Sequence, residues 1–254
     1  MKLMRIAVLA FCLNLTACVT TQVDGLPEAN DKEAAALNLQ LGVEYLRQGK
    51  IQQARLKLER SIEENSQVAL AHSALAVAYQ QLGDMDAAEK SYRRALRLGP
   101  DDPDSLNSLA VFLCSERNDT KTALKYFDEA LSVPLYPKRA MLYTNAGVCA
   151  KEVDLVQAES YLRKAVSMAP EYPEPLLQLI DVAYQQENYL QARAFLERYL
   201  SINPVSPDVL WLGFQLETQM GDRAAARGYG DHLKKDFPQS VEARMLLEEE
   251  RNAG

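Results

Sequence analysis

Small and bulky apolar positions recur along this chain with a fixed long period. Alanines stand at Ala54, Ala88, Ala123, Ala158, Ala192 and Ala226, with gaps of 34, 35, 35, 34 and 34. A bulky residue follows four positions later at Leu58, Tyr92, Phe127, Leu162 and Leu196. A small residue precedes the alanine by eleven to thirteen positions in the first four units: Gly42, Ala76, Ala110 and Gly147. Within a unit the apolar spacing is helical: Ala88, Tyr92 and Ala95 share one face of a 3.6-residue repeat. Prolines at Pro100, Pro134, Pro170, Pro204 and Pro238 punctuate the pattern. Each ends a helix, because proline lacks an N–H and clashes with the preceding turn. Gly83-Asp84 marks the turn inside one unit.

A helix–turn–helix of 34 residues with this residue pattern matches the tetratricopeptide repeat. Two helices crossing closely require a Gly or Ala on the first to face an Ala on the second, with bulky residues filling the seam. The expected fold is all-α, a superhelix of six repeats at about 35–68, 69–102, 103–137, 140–172, 173–206 and 207–240. Residues 241–252, "VEARMLLEEERN", are read as a final helix covering the open end, as solenoids require. The last two repeats depart from the pattern: Ile180 and Phe214 stand where a small residue is expected, and Gly230 where a bulky one is. Their helices are expected to pack at altered angles.

The chain start follows a different pattern. Lys2 and Arg5 precede about ten mostly apolar residues, Ile6–Leu15, too short to span a bilayer core of roughly 30 Å. This is the shape of a secretory signal over residues 1–17. Its end, Leu15-Thr16-Ala17-Cys18, resembles the bacterial lipobox. That resemblance implies cleavage before Cys18, a diacylglyceryl group on its thiol and an acyl group on its new amine. More than one acyl chain gives stable anchoring. Val19, rather than Asp, implies the outer membrane on its periplasmic face in a Gram-negative bacterium. Residues 18–34 are read as a lipidated N-terminus and tether: "VTTQVDGLPEANDK" lacks helical periodicity, and a coil of that length reaches on the order of 20 Å.

Charge narrows the partners. The formal net charge is −7, and −9 once Lys2 and Arg5 are removed with the signal. Nucleic acid is thereby disfavoured, since phosphate affinity comes from Lys and Arg. Catalytic chemistry is missing too. No phosphate-binding glycine loop occurs, the two histidines His72 and His232 stand alone, and no CxxC or His pair suggests a zinc site. No enzyme activity, cofactor, metal or small-molecule substrate is expected. Glu63-Glu64 and Asp101-Asp102 read as solvated acids near connections, and Trp211 as a core residue of the sixth repeat.

Two features remain as candidate function. First-helix residues outside the small-residue ladder should face the concave side: Leu39, Val43, Leu70, Val77, Asn107, Val111 and Val148. They either line a partner-binding groove or fill helix seams. Cys114 and Cys149 lie late in the first helices of repeats three and four, which are neighbours in the stack. In an oxidising periplasm a disulfide between them is favoured; the alternative is two free buried thiols.

The segment Ala110–Ala150 goes beyond the generic repeat. It carries "FLC", the insertion Pro134-Leu135-Tyr136-Pro137 and "NAGVC", and a late "YGDHLKKDFPQS" runs from Tyr229 to Ser240. With the lipobox and six repeats, these resemble the PilF/PilW family of outer-membrane lipoproteins of type IV pilus biogenesis. The resemblance implies a pilotin: a protein whose groove binds a segment of the pilus secretin and promotes its localisation or multimerisation. The alternative is a lipoprotein scaffold for outer-membrane protein assembly or for cell-wall enzymes.

Overall fold

The structure, a computed structural model, describes residues 30–253. The signal sequence, Cys18 and most of the tether lie outside the described residues. Six antiparallel helix pairs follow one another: α1 (Asp31–Arg47) with α2 (Ile51–Glu64), α3 (Ala69–Gln81) with α4 (Met85–Leu98), and α5 (Pro103–Arg117) with α6 (Thr120–Ser132). Next come α7 (Arg139–Ala150) with α8 (Leu155–Met168), α9 (Glu174–Gln185) with α10 (Tyr189–Ile202), and α11 (Pro207–Gln219) with α12 (Arg223–Asp236). Helix α13 (Val241–Ala253) closes the stack. The fold is a tetratricopeptide-repeat superhelix.

The first helix starts earlier than residue 35. Asn30 caps it by accepting from the Lys32 amide, and Asp31 and Glu33 place negative charge where the helix dipole favours it. Residues 31–34, read from the sequence as the end of a tether, are therefore helical. Similar chemistry starts four of the second helices. Asp84, Asp119, Asp154 and Asp222 each accept from backbone amides two or three residues on. Each of the five prolines stands two residues beyond the end of a second helix.

The alanine ladder is the spine of the core, with Ala54, Ala88, Ala123, Ala158 and Ala192 at 0 % exposure. At Gly42 and Gly147 an added Cβ would stand 2.5 and 2.6 Å from the side chains of Leu58 and Leu162, so the close crossing demands glycine. The sixth repeat keeps this arrangement, contrary to the sequence expectation. Its small residue is Gly213, not Phe214, and the bulky partner is Tyr229, whose ring lies 2.7 Å from where a Cβ would be. Gly230 serves the cap instead: a Cβ there would come within 3.2 Å of Leu246 on α13. Ile180 does replace the small residue of the fifth repeat and is fully buried.

Successive first helices α1, α3, α5, α7 and α9 approach one another closely, whereas the second helices stand farther apart and reach one another through long side chains, Tyr161 of α8 to Asp128 of α6 and Gln191 of α10 to Glu159 of α8. The first helices therefore line the narrow, concave side and the second helices the wide, convex side.

Candidate functional site

The residue after each small position forms a second ladder on the concave side: Val43, Val77, Val111, Val148, Asp181 and Phe214. Four valines in succession give an apolar strip. At the fifth repeat it meets a polar clamp, where Lys151 donates to Asp181 at 2.5 Å and to Gln178 at 2.9 Å. At the sixth it meets Phe214 stacked on Trp211, ring centroids 5.4 Å apart.

The strip deepens into a cavity of about 550 Å³ between α5, α7 and the start of α6. Val111, Val148 and Val153 form its apolar walls and Phe127 its floor. Polar edges come from Ser115, Thr120 and Asn145. Asn145 donates to Asn107 at 2.8 Å, so these two amides tie α7 to α5 beside the cavity. Cys114 and Cys149 also line it and are joined by a disulfide, with Cα atoms 5.9 Å apart. Val111 and Val148 remain nearly 40 % exposed, which a core valine is not. Phe127 combines 0 % exposure with a position under the cavity, so the floor is part of the core and moves only if the core moves.

The other sequence-predicted residues divide. Val43 lies exposed on α1, two repeats from the cavity, and Leu70 is exposed at the start of α3. Leu39 and Val77 are half-buried, with one side packed against the core clusters. Trp211 is half-buried against the cluster under α13. His72 is buried and its Nε2 bonds the Ser66 carbonyl at 3.1 Å; burial holds its pKa below the usual histidine value. His232 pairs with Asp236 on the surface of α12.

Sequence reading missed Asn145, Phe127 and Val153 as cavity residues. Phe127 was visible only as a ladder residue, and Val153 sits in an intra-repeat turn whose path no periodicity specifies. It also missed the presentation of the insertion. Tyr136 donates to Asp104 at 2.5 Å, Lys138 donates to the same carboxylate at 2.9 Å, and Arg139 donates to the Leu131 and Val133 carbonyls. Leu135 between them is 96 % exposed and has φ +58°. Partial burial pushes the Asp104 carboxyl up, but the bonds from Tyr136 and Lys138 and the lysine charge together hold it below the usual carboxylate range.

Among the described residues no group of three or more His, Cys, Asp or Glu side chains could hold a metal ion, and no helix is long and apolar enough to cross a membrane. What the surface offers is shape and apolar area: a fixed concave strip for a protein segment. Tetratricopeptide-repeat proteins are protein-interaction scaffolds, and the molecule is built as one.

Comparison with known proteins agrees. Residues 39–103 and 150–212 match the tetratricopeptide repeat. The chain is 31 % identical over 242 residues to the type IV pilus assembly protein PilF of Pseudomonas aeruginosa, covering 93 % of this chain and 95 % of that one. The crystal structure of PilW, a widely conserved type IV pilus biogenesis factor, superposes with a TM-score of 0.79 at 29 % identity, over 84 % of this chain and 98 % of that one. The structure of Pseudomonas aeruginosa PilF gives 0.72 at 30 % identity, over 86 % and 99 %. This chain belongs to the PilF/PilW family of tetratricopeptide-repeat proteins of type IV pilus biogenesis.

Proposed function

We propose that the protein is a pilotin-type lipoprotein. Lipidated at Cys18, it stands on the periplasmic face of the outer membrane and binds the type IV pilus secretin through its concave first-helix face. The cavity between α5 and α7 carries the reading: an open apolar site in a chain of a pilus-biogenesis family. An extended or helical secretin segment would lay apolar side chains against Val111, Val148 and Val153, with Asn145 and Ser115 at the polar edge. No catalysis is required. Holding the secretin subunit at the membrane raises its effective concentration for insertion and multimerisation.

The test separates anchor from surface. Cys18→Ser should leave a soluble, folded protein in the periplasm and deplete assembled secretin multimers, read by gel mobility of heat-resistant multimers from membranes. Normal multimers in a strain lacking the gene would overturn the reading.

A further inference from the structure

Charge is divided between the two sides of the solenoid. The first helices α1 to α11 hold four Lys or Arg against nine Asp or Glu. The second helices α2 to α12 hold 17 against 11. A chain of net charge −7 thus has a cationic convex side.

The asymmetry is concentrated on the outermost face. At 100° per residue, positions two, six and nine beyond each ladder alanine lie on the side of the second helix opposite that alanine. Across six repeats those positions hold eight Lys or Arg, among them Arg94, Arg97, Lys125, Lys164 and Arg198. Only two acids stand there, Glu63 and Glu129. Arg97, Lys125 and Arg198 are exposed and make no ion pair among the described residues. A solvated face needs charge, but it does not need charge of one sign in an acidic protein.

We propose that this convex face docks on the anionic phospholipid surface of the leaflet that holds the anchor. The inference rests on the lipid-anchored reading above. From Cys18 to Asn30 the chain has twelve steps, which span at most about 40 Å, so the folded body is never far from that leaflet. Charge complementarity selects the convex side, because each Lys or Arg near an anionic surface adds attraction that decays within a Debye length. Docked this way, the concave cavity faces away from the membrane and stays open. The membrane contact then orients the binding face, and the anchor alone does not.

Vesicle sedimentation of the full chain carrying Cys18→Ser tests the contact without the lipid. The expected result is retention on phosphatidylglycerol vesicles at low salt, none on phosphatidylcholine vesicles, and release on raising salt. Combined Arg97→Glu, Lys125→Glu and Arg198→Glu should reduce retention at least about tenfold with an unchanged melting temperature. Equal retention of that variant, or none by the Cys18→Ser chain itself, overturns the proposal. If charge reversal impairs piliation while vesicle retention is unaffected, the face serves an acidic protein and the proposal also falls. The mass of the mature wild-type protein reports lipidation independently, so failure of the anchor and failure of the docking face are told apart.

Discussion

The junction between repeats three and four and the junction between repeats five and six are built on the same 34-residue plan and fastened by different means. At the first, α5 packs directly on α7, the Cys114–Cys149 bond links them, and Asp104 holds the insertion through Tyr136 and Lys138. At the second, α9 and α11 do not pack on each other as the earlier first helices do. Arg193 of α10 instead reaches across to Glu217 of α11, with Nε to Oε1 at 2.8 Å, and to Asp222 at 3.4 Å. Glu217 is only 2 % exposed, an acid the fold tolerates because Arg193 answers it. The covalently linked junction is the one that carries the cavity. A docking surface that does not have to be ordered on binding loses less affinity to conformational entropy, so on the proposed reading the covalent link lies where rigidity would serve recognition.

Breaking the staple should have the largest effect. Cys114→Ser with Cys149→Ser opens a loop of 35 residues, which in the chain-entropy model costs about 3 to 4 kcal/mol of unfolding free energy. Thermal melting with and without reductant checks this. Reductant should lower the wild-type transition and leave the variant's alone, and two free thiols in unreduced protein would contradict the account.

Breaking the ionic clamp should cost less and act locally. Glu217→Gln keeps the volume and removes the charge, for a loss of about 1 to 3 kcal/mol. Because repeats couple mainly to their neighbours, hydrogen exchange should speed in α11 to α13 and stay unchanged in α5 to α8. Uniform acceleration along the whole stack would show that the two junctions are not independent.

Acid probes the smaller fastening. Asp104 in the folded chain gives up its proton more readily than the unfolded carboxyl does. Its docking of Tyr136 and Lys138 therefore contributes at pH values above the unfolded value near 4, and is lost as pH falls through the lower folded value. With both Asp104 and Lys138 about half exposed, the effect is below about 1 kcal/mol. It is read as the stability difference between wild type and Asp104→Asn, which should shrink on acidification.

Leu135→Gly should do least. Glycine removes the penalty of a left-handed leucine and adds chain entropy to the unfolded state, so stability should change by no more than about 0.5 kcal/mol.

Much of the fold is written in the sequence because the physics of the repeat is local. A close crossing needs small residues, a seam needs large ones and a connection needs proline, all at fixed spacing. The same logic located the sixth repeat but misassigned its small position. Gly213 lies thirteen residues before Ala226, inside the range of the other units, but reading Phe214 in its place put the ladder one residue out of register. The site was less legible. A first-helix valine can pack towards a seam or stand open in the groove, and the sequence is identical either way: Val77 is half-buried against the core cluster, while Val111 is exposed and lines the cavity. Helix rotation within the stack decides between them. Glu217 was invisible for a related reason, since its burial depends on an arginine 24 residues away.

The α5–α7 cavity is the proposed partner surface, and its most direct test is secretin affinity after placing charge there. Val111→Glu with Val148→Glu, both at exposed positions, should leave the melting temperature nearly unchanged and weaken binding to detergent-extracted secretin by at least about tenfold. Undiminished affinity in a folded double variant would contradict it.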